Sequence, residues 1–251
     1  MATLTVVTLT LNEERNIAEC LETVRWADQV IVVDSGSTDN TILVAERFTK
    51  DIMRIEWKGY GHARNRALEQ ARGDWILWLD ADERIPADLG NEIRSILKAD
   101  APGIAGYDVA RRAYFLGKWI RHCGWYPGRI VRLFRRGEAQ FSETRVHEQL
   151  SVDGPIGHLR HDLLHFTDAD LDQYFRKFNR YTTLAAEDLH GAGRSAGVLD
   201  LIARPPFMFF KMYVLRGGFL DGIHGLILCS VSAAYVFVKY AKLWDLNRPT
   251  R

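Results

Sequence analysis

The stretch VIVVDSGSTD, residues 30–39, decides the fold. It opens with an uninterrupted apolar run, a pattern typical of a strand buried on both faces of a parallel sheet. Asp34 leaves the end of this strand, and the small residues Ser35 and Gly36 leave room for a ligand to lie against the backbone. A carboxylate at this place can accept hydrogen bonds from a nucleobase or a ribose. The alternative is an ordinary turn in which Thr38, or the aspartate after it, caps the next helix.

Strand-like and helical segments alternate on both sides of this stretch, through the first 100 residues. The strand-like runs are residues 4–11, 29–33, 52–57 and 75–79, and the helical ones are 16–24, 37–48 and 62–71. This alternation predicts an α/β fold with a mainly parallel, Rossmann-like sheet flanked by helices. Because ligands of such sheets bind at the carboxyl ends of strands, residues 8–13, 34–39 and 80–83 are the candidate site segments.

A pair of carboxylates, Asp80 and Asp82, follows the fourth strand, WILWL at residues 75–79. Two carboxylates two residues apart can reach one hard divalent cation. Mg²⁺ and Mn²⁺ favour oxygen ligands and keep coordination positions for substrate phosphates. A leaving nucleoside diphosphate needs such charge neutralisation. Asp-x-Asp also occurs in many surface turns, but its place at a strand end predicts a metal site at the sheet edge.

Two further motifs point to the same edge. The first strand ends in TLTLNEE, residues 8–14, which delivers Asn12 and Glu13 there. Glu13 can equally be a partner of the helix dipole at a helix start. The motif GHARN, residues 61–65, places Arg64 between the two acidic segments, where a guanidinium can hold a diphosphate or the carboxylates themselves.

Together, the motifs TLTLNEE, VVDSGSTDNT, GHARN and WLDADE resemble the nucleotide-binding half of family 2 glycosyltransferases, which have the GT-A fold. The resemblance implies transfer of a sugar from a nucleotide-sugar donor with inversion at the anomeric carbon. It implies that Thr8, Glu13 and Asp34 contact the nucleoside, that Asp80 lies near ribose or diphosphate, and that Asp82 binds Mg²⁺ or Mn²⁺. The expected donor site is Thr8, Asn12, Glu13, Asp34, Ser35, Gly36, Arg64 and Asp80.

The resemblance continues toward the C-terminus. Four segments are similar to enzymes that add a hexose to the lipopolysaccharide inner core: WYPGRIVRLFRR (125–136), RVHEQL (145–150), FNRY (178–181) and RGGFLDGIHG (216–225). The similarity implies a hexosyltransferase, with β-1,4-glucosyl transfer from UDP-glucose as the favoured reaction. The implied acceptor is an anionic glycan or glycolipid such as the inner core.

An inverting transfer is a direct displacement, so we expect an enzyme carboxylate to deprotonate the acceptor hydroxyl. Glu143, Glu148 and Asp153 are the candidates beyond the sheet. We predict Glu148, because it occupies the stretch where the family carries its acidic base; an ordinary surface glutamate is the alternative. His147 can orient that base or contact a phosphate. His165 can approach the metal or be a buried core histidine.

Residues 111–136 carry eight basic side chains and no acidic one. A solvated strand face would normally interleave both signs. The segment also holds Trp119, Trp125 and Tyr126, whose rings can stack on sugars. These features indicate a surface for an anionic glycan. The residues that we expect to bind the acceptor are Trp125, Arg129, Arg132 and His147.

The last 48 residues hold seven basic and two acidic side chains together with many aromatic ones. Their uncharged stretch, residues 222–238, would form a helix about 25 Å long, short for a hydrocarbon core of about 30 Å. Phe207, Lys211, Arg216 and Trp244 are among the residues that flank it. These features favour an interfacial helix pair on an anionic membrane. A helix buried against the catalytic domain or a dimer partner is the alternative.

The sequence therefore predicts a nucleotide-sugar-binding half (residues 1–100), an acceptor-binding half of the same domain (101–200) and a helical, membrane-associating extension (201–251). The N-terminus lacks the basic region of a signal peptide. The three cysteines are odd in number and form no CxxC, which favours reduced thiols. We expect a cytoplasmic protein associated peripherally with the inner membrane.

Two other function classes fit parts of the sequence. A nucleotidyltransferase acting on sugar phosphates would share the sheet, but should carry a Gly-rich, basic loop after its first strand, where residues 8–14 are acidic. A membrane-associated nucleotide-sugar-binding protein without catalysis would not need the intact Asp80 and Asp82 pair. Basic residues interleaved with aromatics also describe a nucleic-acid groove, but the nucleotide-sugar motifs argue against that partner.

Overall fold

The computed structural model describes residues 1–55, 60–100, 102–141, 150–168 and 170–248. The strands are β1 (Leu4–Thr10), β2 (Gln29–Asp34), β3 (Ile52–Arg54), β4 (Trp75–Asp80), β5 (Glu83–Arg84), β6 (Gly106–Phe115), β7 (Lys118–Trp119), β8 (Gly128–Arg135), β9 (Ala139–Phe141), β10 (Leu150–Val152), β11 (Ile156–His158) and β12 (Leu163–Asp168). The α-helices are α1 (Ile17–Glu22), α2 (Thr41–Ala45), α3 (Tyr60–Gln70), α4 (Ala87–Ala99), α5 (Leu171–Gly191), α6 (Val198–Ile202), α7 (Arg204–Phe210) and α8 (Gly222–Leu246). A π-helical turn (Lys211–Leu215) and a 3₁₀ turn (Gly218–Asp221) lie between α7 and α8.

The chain divides into two compact units. Residues 1–111 and 129–165 form the sheet unit, and residues 112–128 and 166–251 form the helical unit. The helical unit thus takes a segment from the middle of the chain as well as the C-terminal residues. The three-part division at about residues 100 and 200 stays a prediction.

The main sheet has the strand order β3-β2-β1-β4-β8-β6-β12-β5, and β7 and β11 pair with β6. β1 pairs in parallel with both β2 and β4, and β2 pairs in parallel with β3. β8 joins β4 in the antiparallel sense. The predicted α/β architecture with a mainly parallel sheet is confirmed.

Both faces of the parallel strands are covered, which explains the uninterrupted apolar runs of β2 and β4. Val6 of β1 packs in one cluster with Leu89 and Ile93 of α4. The next residue, Val7, packs in another cluster with Ala67 of α3. All five side chains are at most 1% exposed. Burying each Val, Leu or Ile stabilises the fold by roughly 1.5–3 kcal/mol.

The helix α4 is an element that the sequence patterns above do not indicate. Its buried side chains Leu89, Ile93 and Leu97 recur every four residues, which is the spacing of one helix face. The helix ends where Asp100 adopts the left-handed conformation, with φ 39°. The amphipathic spacing was therefore present, and so was a stop signal, because Pro102 and Gly103 follow Asp100 closely in the sequence.

The helix α2 begins at Thr41, later than residue 37 or 38. Ser37 and Thr38 cannot cap it because they bind the neighbouring loop. Ser37 Oγ accepts the backbone N–H of Asn12 at 2.9 Å, and the Thr38 N–H donates to Asn12 Oδ1 at 2.8 Å. Asn40 instead precedes the helix.

Gly73, before β4, offers a stability prediction. A Cβ there would lie 2.5 Å from the backbone nitrogen of Thr5, inside the sheet, where backbone cannot give way. We expect Gly73→Ala to lower the free energy of unfolding by about 1–3 kcal/mol, measured by urea denaturation. Gly191→Ala is the control, because no atom lies within 4 Å of its added Cβ. Equal stability of the two variants would contradict the prediction.

The helical unit has its own core, made mainly by Phe115, Ile120, Met212, Leu228 and two cysteines. All three cysteines of the chain are free and buried, and the reduced state of their thiols stays a prediction. Cys123 and Cys229, far apart in sequence, are neighbours here, with Sγ atoms 3.7 Å apart.

The long helices of the helical unit are tied together by a lysine. Lys242 Nζ of α8 donates to Asn179 Oδ1 at 2.8 Å, to Thr182 Oγ1 at 2.9 Å and to Thr183 Oγ1 at 2.7 Å, all on α5. At the other end of α8, a Cβ on Gly225 would lie 1.9 Å from the carbonyl oxygen of Gly218. Both contacts fix α8 against the rest of the helical unit.

Candidate active site

Strand register brings the three predicted segments to one edge of the sheet. Thr10 of β1 lies opposite Asp34 of β2, and Leu9 lies opposite Asp80 of β4. The strands are parallel, so all three end on the same side. The acidic residues that follow β2 and β4 therefore flank the loop that follows β1.

The loops after β1 and β2 are bound to each other. Asn12 adopts the left-handed conformation, with φ 55°, and bridges to Ser37 and Thr38 as described above. The Glu13 N–H donates to Thr41 Oγ1 at 2.8 Å, and Glu13 Oε2 accepts from the side chain of Asn16 at 2.7 Å. These bonds hold the predicted donor loops in one conformation.

Asp34 is 3% exposed and accepts backbone N–H groups from its own turn, from Gly36 at 3.1 Å and from Ser37 at 3.1 Å. Ser35 binds the carbonyl oxygen of Thr10 through both its N–H and its hydroxyl, each at 3.1 Å. The turn interpretation of this motif is therefore correct for the backbone. A nucleoside role for Asp34 would use the remaining acceptor capacity of its carboxylate.

Space for a ligand exists beside this turn. A cleft of about 450 Å³ is lined in part by Asp34, Gly36 and Arg54. In β1, Thr8 and Thr10 are buried, and neither hydroxyl has a hydrogen-bond partner among the described residues. Buried hydroxyls without a partner are uncommon, so these two mark a polar position toward the end of β1.

A larger cleft, of about 570 Å³, lies at the amino ends of β1 and β2. Its polar groups already have partners: Gln29 Oε1 accepts from Thr5 Oγ1 and from the Arg72 N–H, each at 2.9 Å. The candidate carboxylates are at the other ends of these strands. We therefore place the site at the carboxyl edge, where chemistry and register agree.

A buried arginine organises the carboxylates after β4. Arg132 of β8 is 7% exposed, and one of its terminal nitrogens donates both to Asp80 Oδ2 and to Glu83 Oε1, the latter at 2.6 Å. Glu83 is fully buried, and its Oε2 accepts the backbone N–H of Asp80 at 3.0 Å. Trp78 Nε1 donates to Asp80 Oδ1 at 3.2 Å. Glu83 and Arg132 thus fix the turn that carries Asp80 and Asp82.

The charges of this cluster shift its pKa values in opposite directions. Burial alone would raise the pKa of Asp80, but the Arg132 and Arg64 guanidiniums outweigh it and hold that pKa well below its usual range. Burial raises the pKa of Glu83 above its usual value, although Arg132 opposes the shift. Asp80 is therefore the carboxylate that stays ionised opposite Arg132.

Asp82 has a different neighbour. Its Oδ2 lies 3.4 Å from Nε2 of His165, and the two side chains are 15% and 17% exposed. Burial alone would lower the pKa of His165, but the hydrogen bond and charge of Asp82 outweigh it and raise that pKa. His165 is thus partly buried and also beside the candidate metal ligand, so both sequence interpretations describe part of its position.

A divalent metal fits the residues after β4 if one carboxylate holds it and the substrate completes its coordination. Within the described ranges, no three His, Cys, Asp or Glu side chains are grouped to form an all-protein cage. Mg²⁺ and Mn²⁺ commonly take only one or two carboxylates and complete their coordination with substrate phosphates and water. Asp82 offers such a carboxylate, because Arg132 and the Trp78 indole already bind Asp80, although the Asp80 side chain is the more exposed of the two, at 31% against 15%.

Arg64 lies among aromatic rings at the same end of the sheet. Its guanidinium is 5.2 Å from the centre of the Trp78 ring and 5.0 Å from that of Phe141. Its charge also acts on Asp80. Arg111 adds another cation near this cluster, and burial lowers its pKa. Arg64 thus lies near Asp80, and its predicted position between the Asp34 and Asp80 segments stays a prediction.

The predicted acceptor residues are distributed differently. Arg132 lies inside the carboxylate cluster, and Arg129 pairs with Asp108 at 2.7 Å on the sheet unit. Trp125 belongs to the helical unit, where it packs edge-on against Phe115. Acceptor binding by these residues stays a prediction. Glu143, His147 and Glu148 lie outside the described residues.

Comparison with known proteins decides the family. Residues 5–147 match the sequence model described as Glycosyl transferase family 2. The chain belongs to glycosyl transferase family 2. The lipopolysaccharide core biosynthesis glycosyltransferase LpsC of Rhizobium meliloti (strain 1021) is 33% identical to this glycosyltransferase over 242 residues, or 94% of this chain and 89% of LpsC.

Two further comparisons agree with the family. An uncharacterized glycosyltransferase of Rickettsia typhi (strain ATCC VR-144 / Wilmington) is 27% identical over 254 residues, which cover 97% of this glycosyltransferase and 87% of the relative. The mannosyltransferase PcManGT from Pyrobaculum calidifontis, solved with GDP-Man and Mn²⁺, superposes with a TM-score of 0.54 at 18% identity, covering 97% of this chain and 88% of that one. The predicted GT-A fold is confirmed.

Proposed function

We propose that this glycosyltransferase is an inverting, metal-dependent hexosyltransferase that moves glucose from UDP-glucose to an anionic glycan or glycolipid, such as the lipopolysaccharide inner core. The relative LpsC, named for lipopolysaccharide core biosynthesis, supports the acceptor class. The run of basic side chains in residues 111–136 supports an anionic acceptor. Uridine and glucose rest on the motif resemblance. The reaction takes place at the cytoplasmic surface of the inner membrane.

The observation that carries the proposal is that the two carboxylates at the end of β4 have different neighbours. Arg132 neutralises Asp80, whereas the ion-pair partner of Asp82 within the described residues is His165, at 3.4 Å. Asp82 would hold Mg²⁺ or Mn²⁺. When bound, the cation neutralises charge that develops on the leaving diphosphate.

The other residues bind and position. Glu13, Asp34 and the loops around Asn12 hold the nucleoside at the carboxyl ends of β1 and β2. Arg64 adds a positive charge near the diphosphate. Glu148 takes the proton of the acceptor hydroxyl, with Glu143 as the alternative base. Attack of that oxygen on the anomeric carbon breaks the bond to the diphosphate, which leaves as a nucleoside diphosphate.

We expect one series of nucleotides to stabilise the protein in a metal-dependent way. In a thermal-shift screen with Mn²⁺, the matching nucleoside diphosphate should raise Tm by roughly 5–10 °C at about 100 times its Kd. EDTA should abolish the shift. Asp82→Ala should lose it, whereas Asp88→Asn, on the exposed first turn of α4, should keep it.

The outcomes separate the alternatives. A shift with uridine nucleotides alone identifies the donor base. A metal-dependent shift without release of nucleoside diphosphate on adding acceptor would favour the non-catalytic binding protein. No shift with any nucleotide, from folded protein, would refute the proposed donor site.

A further inference from the structure

The helical unit exposes an unusual number of large apolar side chains. They extend from α6 through α7 and the two short turns to the start of α8, elements that pack one on the next. We call this surface the apolar face. Its most exposed members are Val198, Leu199, Ile202, Phe207, Leu215, Leu220 and Ile223, each at least 60% exposed. Monomeric soluble proteins rarely expose large connected apolar surfaces without a partner.

The charged side chains near the apolar face that have no partner of opposite sign within residues 198–238 are positive. Residues 198–238 contain two carboxylates. Asp200 pairs with Arg204 at 2.5 Å. Asp221 is 2% exposed and accepts the backbone N–H of His122 at 2.9 Å. The remaining charged side chains of this range are Lys211 and Arg216, so the rim of the face is positive.

The helix α8 is long and apolar enough to cross a bilayer by length and composition. Residues 218–246 have a mean hydropathy of 1.5 over an 18-residue window, of which 28% is buried. Its contacts argue against crossing. Leu228 and Cys229 lie in the core of the helical unit, and Lys242 is bound to three polar side chains of α5. A crossing α8 would draw Lys242 and its polar partners on α5 into hydrocarbon.

We propose that the apolar face docks on the surface of an anionic phospholipid bilayer, with α6 to α8 lying in the plane of the interface. The apolar side chains enter the headgroup boundary, and Lys211 and Arg216 contact acidic headgroups. A second copy of the chain fits less well, because a two-fold interface would bring the positive rims together. This inference rests on the membrane location in the proposed function, and it adds which surface of the protein contacts the membrane and which lipids it prefers.

The experiment is co-sedimentation of the full chain with two kinds of vesicle. One contains phosphatidylcholine alone, and the other contains about 30% phosphatidylglycerol. Wild type should bind the anionic vesicles and lose binding as salt is raised. The double variant Phe207→Ser/Leu220→Ser should bind at least about 10-fold more weakly, because two apolar anchors are lost. Phe175→Ser, 47% exposed on α5, should bind like wild type.

Three results would overturn the inference. The first is equal binding by wild type and the double variant. The second is equal binding to neutral and anionic vesicles. The third is no vesicle binding together with a wild-type dimer in ultracentrifugation that the double variant lacks. The nucleotide-dependent thermal shift is measured on the same variants, so loss of membrane binding with an intact shift separates this inference from the donor site.

Discussion

An Asp82→Asn enzyme is expected to transfer sugar about 10²–10³ times more slowly than wild type, even with saturating Mn²⁺. Asparagine keeps the size of the side chain but removes the charge that would hold the cation. The leaving diphosphate would then depart without its counter-ion. The rate should be measured as release of nucleoside diphosphate in the presence of acceptor, across a series of Mn²⁺ concentrations.

The same variant should leave the unliganded protein folded. Asp82 contacts His165 at 3.4 Å, and both side chains are partly exposed. Asparagine keeps an oxygen that can accept a hydrogen bond from His165, so we expect the free energy of unfolding without metal to fall by about 1–2 kcal/mol, less than in Arg132→Ala. If unliganded stability fell as far as in Arg132→Ala, Asp82 would be a structural residue and the metal assignment would be wrong.

An Arg132→Ala protein is expected to lose about 3–5 kcal/mol of stability. The substitution removes a nearly buried cation and leaves Glu83 buried without its counter-charge and Asp80 without its arginine. Urea denaturation measures the loss. Arg72→Ala is the control, because that side chain is 77% exposed beside Asp51, and its ion pair is open to solvent. Similar losses in both variants would refute the special role of Arg132.

The pKa shifts predict how the stability loss of Arg132→Ala depends on pH. In wild type, the lowered pKa of Asp80 stabilises the fold above the ordinary aspartate pKa of about 3.9, and this contribution is lost as pH falls through the folded value. Without Arg132, burial is opposed less strongly, so the pKa values of Asp80 and Glu83 rise and both carboxylates take up protons at higher pH. The difference in free energy of unfolding between wild type and Arg132→Ala should therefore become smaller as pH is lowered from about 8 toward about 4. If Arg132→Ala does not fold, Arg132→Lys gives the same comparison with a smaller loss.

Sequence patterns predicted the sheet edge well because they are local. A buried strand followed by Asp34, and another followed by Asp80, indicate parallel strands whose ends meet, and the register confirms this. The role of Arg132 depends instead on β8 lying antiparallel to β4, with Leu133 opposite Leu77. No local spacing reveals that pairing. From its sequence alone, Arg132 is therefore expected only to bind the acceptor.

The role of Glu83 also depends on tertiary contacts that its local sequence does not reveal. It stands in the motif WLDADE, directly after Asp82, and its residue type suggests another ligand. Its backbone pairs with His165 of β12, while its side chain turns back to the N–H of Asp80 and to Arg132. A buried acid that positions a turn cannot be told from an exposed acid that binds metal until the tertiary neighbours are known.

The conformation of Asn12 limits which residues evolution can place there. Its φ of 55° favours glycine, asparagine or aspartate. Glycine would adopt that angle but would lose the side-chain oxygen that receives the N–H of Thr38. Most other residues would have neither the angle nor the bond. Asn12 thus satisfies two separate requirements, the left-handed backbone angle and the side-chain acceptor. A substitution there would weaken the contact between the loops after β1 and β2.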